Sequence, residues 1–185
     1  MTPKEQTLRH LYEARTAQIR WVNTIKLLVS GIDIPEETVP LSPTDSPFGR
    51  WYYTQAIRFS LGISQMVLDD IETLFLSMYD KYTKIYPIYF NSKKTPIFGR
   101  MLGNRPKASD AEMELAQRYY EEIVALSDKL KHKLRVFESQ LQSMGEERFD
   151  FVTEPVETTQ TLLSDAVEPS APANQTYFYG ARGRG

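Results

Sequence analysis

The 185-residue chain contains no cysteine and only two histidines. Without thiols there is no disulfide framework, no thiolate zinc site, no iron–sulfur cluster and no cysteine nucleophile. Two imidazoles do not build an all-histidine cage, so neither a metal nor another cofactor is expected. Excess charge of one sign is also missing: 22 Lys and Arg stand against 24 Asp and Glu. That balance removes the broad electrostatic footprint of a nucleic-acid binder. Long apolar runs are absent as well. The opening MTPKEQTLRHLYEARTAQIRW has no signal-peptide core, and no stretch approaches the roughly 20 apolar residues that span a bilayer. The expectation is a cytoplasmic chain without a membrane segment. Asn174-Gln175-Thr176 fits a glycosylation acceptor, but without a secretory signal it carries no weight.

What is present is helical periodicity. Thr2 and Pro3 suit a helix start and Gly31 a stop, predicting a first helix from Pro3 to Ser30. Leu11, Ala14, Trp21, Ile25 and Leu28 form its apolar stripe, and Gln18 interrupts it. Residues 31–47 carry four prolines and read as a connector. A second helix is expected from Pro47–Gly49 to Gly62, carrying Trp51, Tyr52, Ala56, Ile57 and Phe59. A third runs from Ser64 to Tyr86, with Pro87 as its stop. Its stripe is Val67, Ile71, Leu74 and Met78, widened by Leu68, Phe75, Tyr79, Tyr82 and Tyr86.

Residues 87–108 differ in character. They hold Lys93, Lys94, Arg100, Arg105 and Lys107 and no acid, among three prolines and several apolar residues. An ordered crossover of this length usually has a function. Its basic side chains offer an anion-binding surface, for a nucleotide or RNA, or equally a dock for the acidic tail. Ser109 and Glu112 then have capping-box spacing and open a long fourth helix ended by Gly145. Ala116, Tyr119, Ile123, Leu126, Leu130, Leu134, Phe137, Leu141 and Met144 make its stripe. Four such helices predict an all-α, antiparallel four-helix bundle over residues 1–145.

Residues 146–185 hold seven acids and three bases and are rich in Pro, Ser, Thr and Ala, which predicts disorder. The final NQTYFYGARGRG clusters Tyr177, Phe178 and Tyr179 with Arg182 and Arg184. Aromatics and arginine concentrate binding energy, so this end reads as a docking peptide, against the plainer reading of a frayed terminus.

Gln18-Ile19-Arg20-Trp21 and Ser46-Pro47-Phe48-Gly49-Arg50-Trp51-Tyr52 together resemble the chemoreceptor zinc-binding domain, a bacterial sensory module of chemotaxis signalling. The resemblance covers residues 8–145. It implies a four-helix scaffold in which helix one carries a His three residues before Trp. Helix two then opens with Cys-x-x-Gly-x-Trp, and helix three carries His-x-x-x-His. Here the first His falls on Gln18 and the Cys on Ser46. The helix-three pair falls on Thr73 and Ser77, or by the same spacing on Leu74 and Met78 or Phe75 and Tyr79. No choice leaves a zinc ligand, since Gln, Ser and Thr are poor ones. Serine also cannot follow the oxidation chemistry of a thiol.

Gln18, Ser46, Thr73 and Ser77 are therefore expected to form a hydrogen-bonded polar cluster where the metal would sit, with Gln18 reaching Ser46 or a helix-two N–H. The plainer alternative makes Gln18 a tolerated polar residue at a helix edge. Trp21, Gly49 and Trp51 are read as core anchors. His10 and His132 are read as surface residues, and Asp69, Asp70 and Glu72 as a solvated helix face. Without a nucleophile or phosphate-loop motif, no enzyme is expected. The reading is a non-enzymatic signalling or adaptor protein. It would bind a protein partner, or itself as a homodimer, through the bundle, and recruit a second partner by its tail. The alternatives are a structural subunit of an assembly, or a ligand sensor using residues 87–108.

Overall fold

The computed structural model describes residues 1–90 and 108–153, the last three by their backbone alone. The expected crossover and acidic tail, with Lys93, Lys94, Arg100, Arg105, Lys107, Tyr177, Phe178, Tyr179, Arg182 and Arg184, lie outside the described residues. Four α-helices are present among the described residues: α1 Pro3–Val29, α2 Pro47–Thr54, α3 Gln65–Phe90 and α4 Asp110–Ser143. There is no strand among the described residues.

The packing is up-down-up-down. Arg15 pairs with Glu138 on α4, and Lys4 of α1 reaches the carbonyls of Gln142 and Met144. Residue numbers fall on α4 as they rise on α1. The same reversal relates α3 to α4, where Asp70 meets Lys133 and Lys81 meets Glu122. Contacts of Gln18 with Met78 and Tyr89 with Val29 make α1 and α3 parallel. The four helices form the antiparallel bundle the periodicity predicts.

Local signals set most boundaries. Thr2 with Glu5, and Ser109 with Glu112, form complete capping boxes. Gly31, at φ +81°, takes the left-handed conformation that ends α1. Helix two is much shorter than expected. It stops at Thr54 and gives way to 3₁₀ turns at Ala56–Phe59 and Gly62–Ser64. Gly62, at φ +82°, bends the chain between those turns. Ile57, expected on this helix, lies in the first of those turns and is exposed.

Pro87 does not stop α3, which continues to Phe90. Proline removes one backbone donor near the helix end, and apolar packing offsets the loss. Ile85 and Phe90 are buried on either side of it. The packed unit also extends past Gly145: a 3₁₀ helix at Glu146–Thr153 buries Phe149 against Phe59, and this unit ends at Thr153. Phe149 and Phe151, two apart, carry no helical repeat that would give a periodic signal. No helix among the described residues is long and apolar enough to cross a membrane.

Candidate functional site

The most distinctive interior region lies where α1, α2 and α3 meet. The α1 stripe is buried as expected, Gln18 included, at 4 % exposure. Gln18 does not reach Ser46 or helix two. Its Nε2 donates to the thioether of Met78 at 3.8 Å, a weak contact for a buried amide. Ser46 is buried but serves its own helix. Its Oγ accepts from the Gly49 N–H at 2.9 Å, donates to the Pro43 carbonyl at 2.8 Å, and so caps α2.

The other two members of the expected polar cluster are elsewhere. Thr73 is exposed and Ser77 is only half-buried, its hydroxyl turned back to the Thr73 carbonyl at 2.7 Å. Thr73 lines an open groove between α3 and α4 with Asp70, Leu74 and His132. The core face of α3 falls instead on Val67, Leu68, Ile71, Phe75, Met78, Tyr79 and Tyr82. The i, i+4 pair beside Ser46 and Trp21 is therefore Phe75 and Tyr79, one of the alternatives the spacing left open. The polar cluster of four is replaced by a largely aromatic one. Trp21 stacks on Tyr79 with centroids 4.8 Å apart and meets Tyr82 edge-on at 5.5 Å. Phe75 bridges Phe48 and Tyr79 at 4.8 and 5.1 Å.

The polar atoms of this cluster are unevenly served. The Tyr82 hydroxyl donates to the Val39 carbonyl and pins the connector. Tyr52 donates to the Leu68 carbonyl. The Tyr79 hydroxyl and the Trp21 indole N–H are buried without a hydrogen-bond partner among the described residues. Burial pushes the Tyr79 phenol up to about 12, Ser46 and Trp21 beside it pull the other way, and the Asp45 charge adds to the rise. No group of three or more His, Asp or Glu suited to a metal occurs among the described residues.

Trp21 and Trp51 are buried, Trp51 against Phe48 and Phe137. Gly49 has a steric reason: a Cβ there would sit 2.1 Å from the Pro43 carbonyl oxygen. The Gly49-x-Trp51 spacing thus lets α2 lie close to the preceding turn while its Trp enters the core. His10 is half-buried, not a free surface residue, and its Nδ1 lies 2.7 Å from Gln55 Oε1. His132 is exposed, and Asp70 pairs with Lys133 at 2.6 Å on the surface.

The sequence reading missed two features. Ile57, Leu61, Ile63 and Met66 form an exposed apolar corner between α2 and α3, with Leu61 and Met66 85 % and 81 % exposed. A leucine and an isoleucine flanking Gly62 in a turn were signals of it. The second is Ser127, fully buried on α4, where the rhythm Ile123, Ser127, Leu130 places it in the stripe instead of Leu126.

Comparison with protein-family profiles, with characterised proteins and with solved structures gives no match.

Proposed function

We propose that this chain is a non-enzymatic contact protein, a signalling adaptor resembling a chemoreceptor zinc-binding domain without its metal. The observation that carries the contact role is the apolar corner of Ile57, Leu61, Ile63 and Met66. Single exposed apolar residues are ordinary, but four within ten residues on one bend mark an interaction surface. The rest of the reading is supported by the interior. Gln18 and Ser46, at the positions the resemblance would make ligands, face a thioether and a helix start, and Trp21, Phe48, Phe75 and Tyr79 pack on one another as an aromatic cluster. A bundle held in this way acts through its surface. The tail, ending in Tyr177, Phe178, Tyr179, Arg182 and Arg184, would recruit a second partner.

The test is affinity purification from the native cell with the full chain, with Leu61→Asp/Met66→Asp, and with the chain lacking residues 170–185. Each altered chain should lose its own specific partner and keep the parental melting temperature. Retention of every partner by both would overturn the reading. The same apolar corner also favours a structural subunit. Light scattering over a concentration series separates the two, giving open-ended growth for a subunit and a monomer or closed dimer for an adaptor.

A further inference from the structure

The seam between α1 and α4 holds a second arrangement, separate from the aromatic cluster and the apolar corner. A cavity of about 100 Å³ opens there, lined by Arg15 and Gln18 from α1 and by Ser127, Lys131, Leu134 and Arg135 from α4. Residues three and four apart share a helix face, and antiparallel packing sets the two rows opposite each other.

The floor is polar and underserved. Gln18 is 4 % exposed and Ser127 2 %. A helical serine ordinarily donates to the carbonyl four residues back, as Ser30 and Ser77 do. Ser127 makes no hydrogen bond among the described residues, and the Gln18 amide has only its thioether contact. Neither the Ser127 hydroxyl nor the Gln18 amide is sealed off from the cavity, so whatever fills it, water or ligand, serves as their partner.

The rim is cationic. Arg15 pairs with Glu138 at 2.6 Å and Lys131 with Asp128 at 3.0 Å. Arg135 has no acid partner among the described residues, whereas Arg15 and Lys131 beside the same cavity do. Three cations, one hydroxyl and one amide converge from both helices. Against them stand the two paired carboxylates and the Gln18 carbonyl.

We propose that this cleft binds a small tetrahedral oxyanion of the phosphate class, free or as the phosphoryl end of a small metabolite. Arg135 offers a planar fork of donors to two of its oxygens. Ser127 and Gln18 donate from the floor to a third, and Arg15 and Lys131 complete the field. A planar carboxylate has only two oxygens for donors arriving from both helices. The cavity has room for the anion itself and leaves any attached group outside.

The experiment is a ¹H–¹⁵N NMR titration of the full chain with inorganic phosphate and, separately, glycerol phosphate. Both are run at constant ionic strength against chloride. Saturable shifts are expected at Ser127, at the Gln18 side-chain amide and at Arg135. Arg135→Gln, an exposed position, should weaken binding by about tenfold. Ser127→Ala should weaken it less and should not lower the melting temperature. Tighter binding of glycerol phosphate assigns an esterified phosphoryl group, and tighter binding of phosphate assigns the free anion. Absence of saturable shifts, identical shifts with chloride, or equal affinity in wild type and Arg135→Gln would overturn the proposal.

Discussion

At the scale of single residues, Gly49 and Tyr79 show how differently a position can be constrained. Gly49 has no room: its missing Cβ would lie 2.1 Å from a backbone oxygen, which cannot swing aside as a side chain can. Gly49→Ala should therefore cost about 2 kcal/mol, as overpacking does, read as a lower denaturant midpoint with an unchanged slope. Tyr79 has the opposite problem. Its ring is embedded in the aromatic cluster while its hydroxyl is buried without a partner among the described residues. Tyr79→Phe removes that liability and should raise stability by about 1 kcal/mol. A loss of stability in equilibrium unfolding would mean that the hydroxyl has a partner in solution. Gln18 was legible from sequence as a polar break in a stripe. Its partner was not, because a methionine sulfur is a poor acceptor and nothing in the spacing of a thioether advertises a hydrogen bond.

At the scale of elements, strong local signals translated directly into structure and weak ones were overridden. The Thr2 cap, the Ser109–Glu112 capping box and Gly31 fall where the sequence puts them, since cap chemistry acts within a few residues. The ends of α2 and α3 do not, since packing decides them. Pro87 sits within α3, between buried Ile85 and buried Phe90. The register of α3 illustrates the limit: Thr73 and Ser77 share the i, i+4 spacing with Phe75 and Tyr79. Only contact with α1 and α2 selects the aromatic pair. The 3₁₀ segment Glu146–Thr153 was invisible for a related reason. Phe149 anchors its described part, packed on Phe59 with the Lys4 ammonium 5.8 Å above its ring. Phe149→Ala should cost about 3 kcal/mol and speed proteolysis within 146–153, as mapped by limited digestion.

At the scale of the whole molecule, the interior is unusually phenolic, and that sets its response to alkali. Burial is the main cause that raises Tyr79 to about 12, and Tyr52 and Tyr82 further. In the unfolded chain these groups lose their protons near pH 10. The folded state holds the protons longer, so its advantage is complete below about pH 10 and is lost as the pH rises toward 12. Each buried tyrosine should contribute a slope of about −1.4 kcal/mol per pH unit across that window. Denaturant titrations from neutral to alkaline pH will measure it, and Tyr79→Phe should flatten it. The bundle class was legible because four long or capped apolar repeats leave few other ways to bury their faces. The cleft between α1 and α4 was not, because Arg15, Gln18, Ser127 and Arg135 meet only after two antiparallel helices are in register.

The Lys4 ammonium donates to the carbonyls of both Gln142 and Met144, at 2.8 and 2.6 Å. It ties the first turn of the packed unit to the end of its last helix. Tension applied across residues 3 and 153 would load this one side chain and the seam behind it first, peeling α1 from α4 like a zip. The same adjacency means that the unit enters and leaves at one spot. A host loop could accept it as an insert without its own two ends being drawn apart.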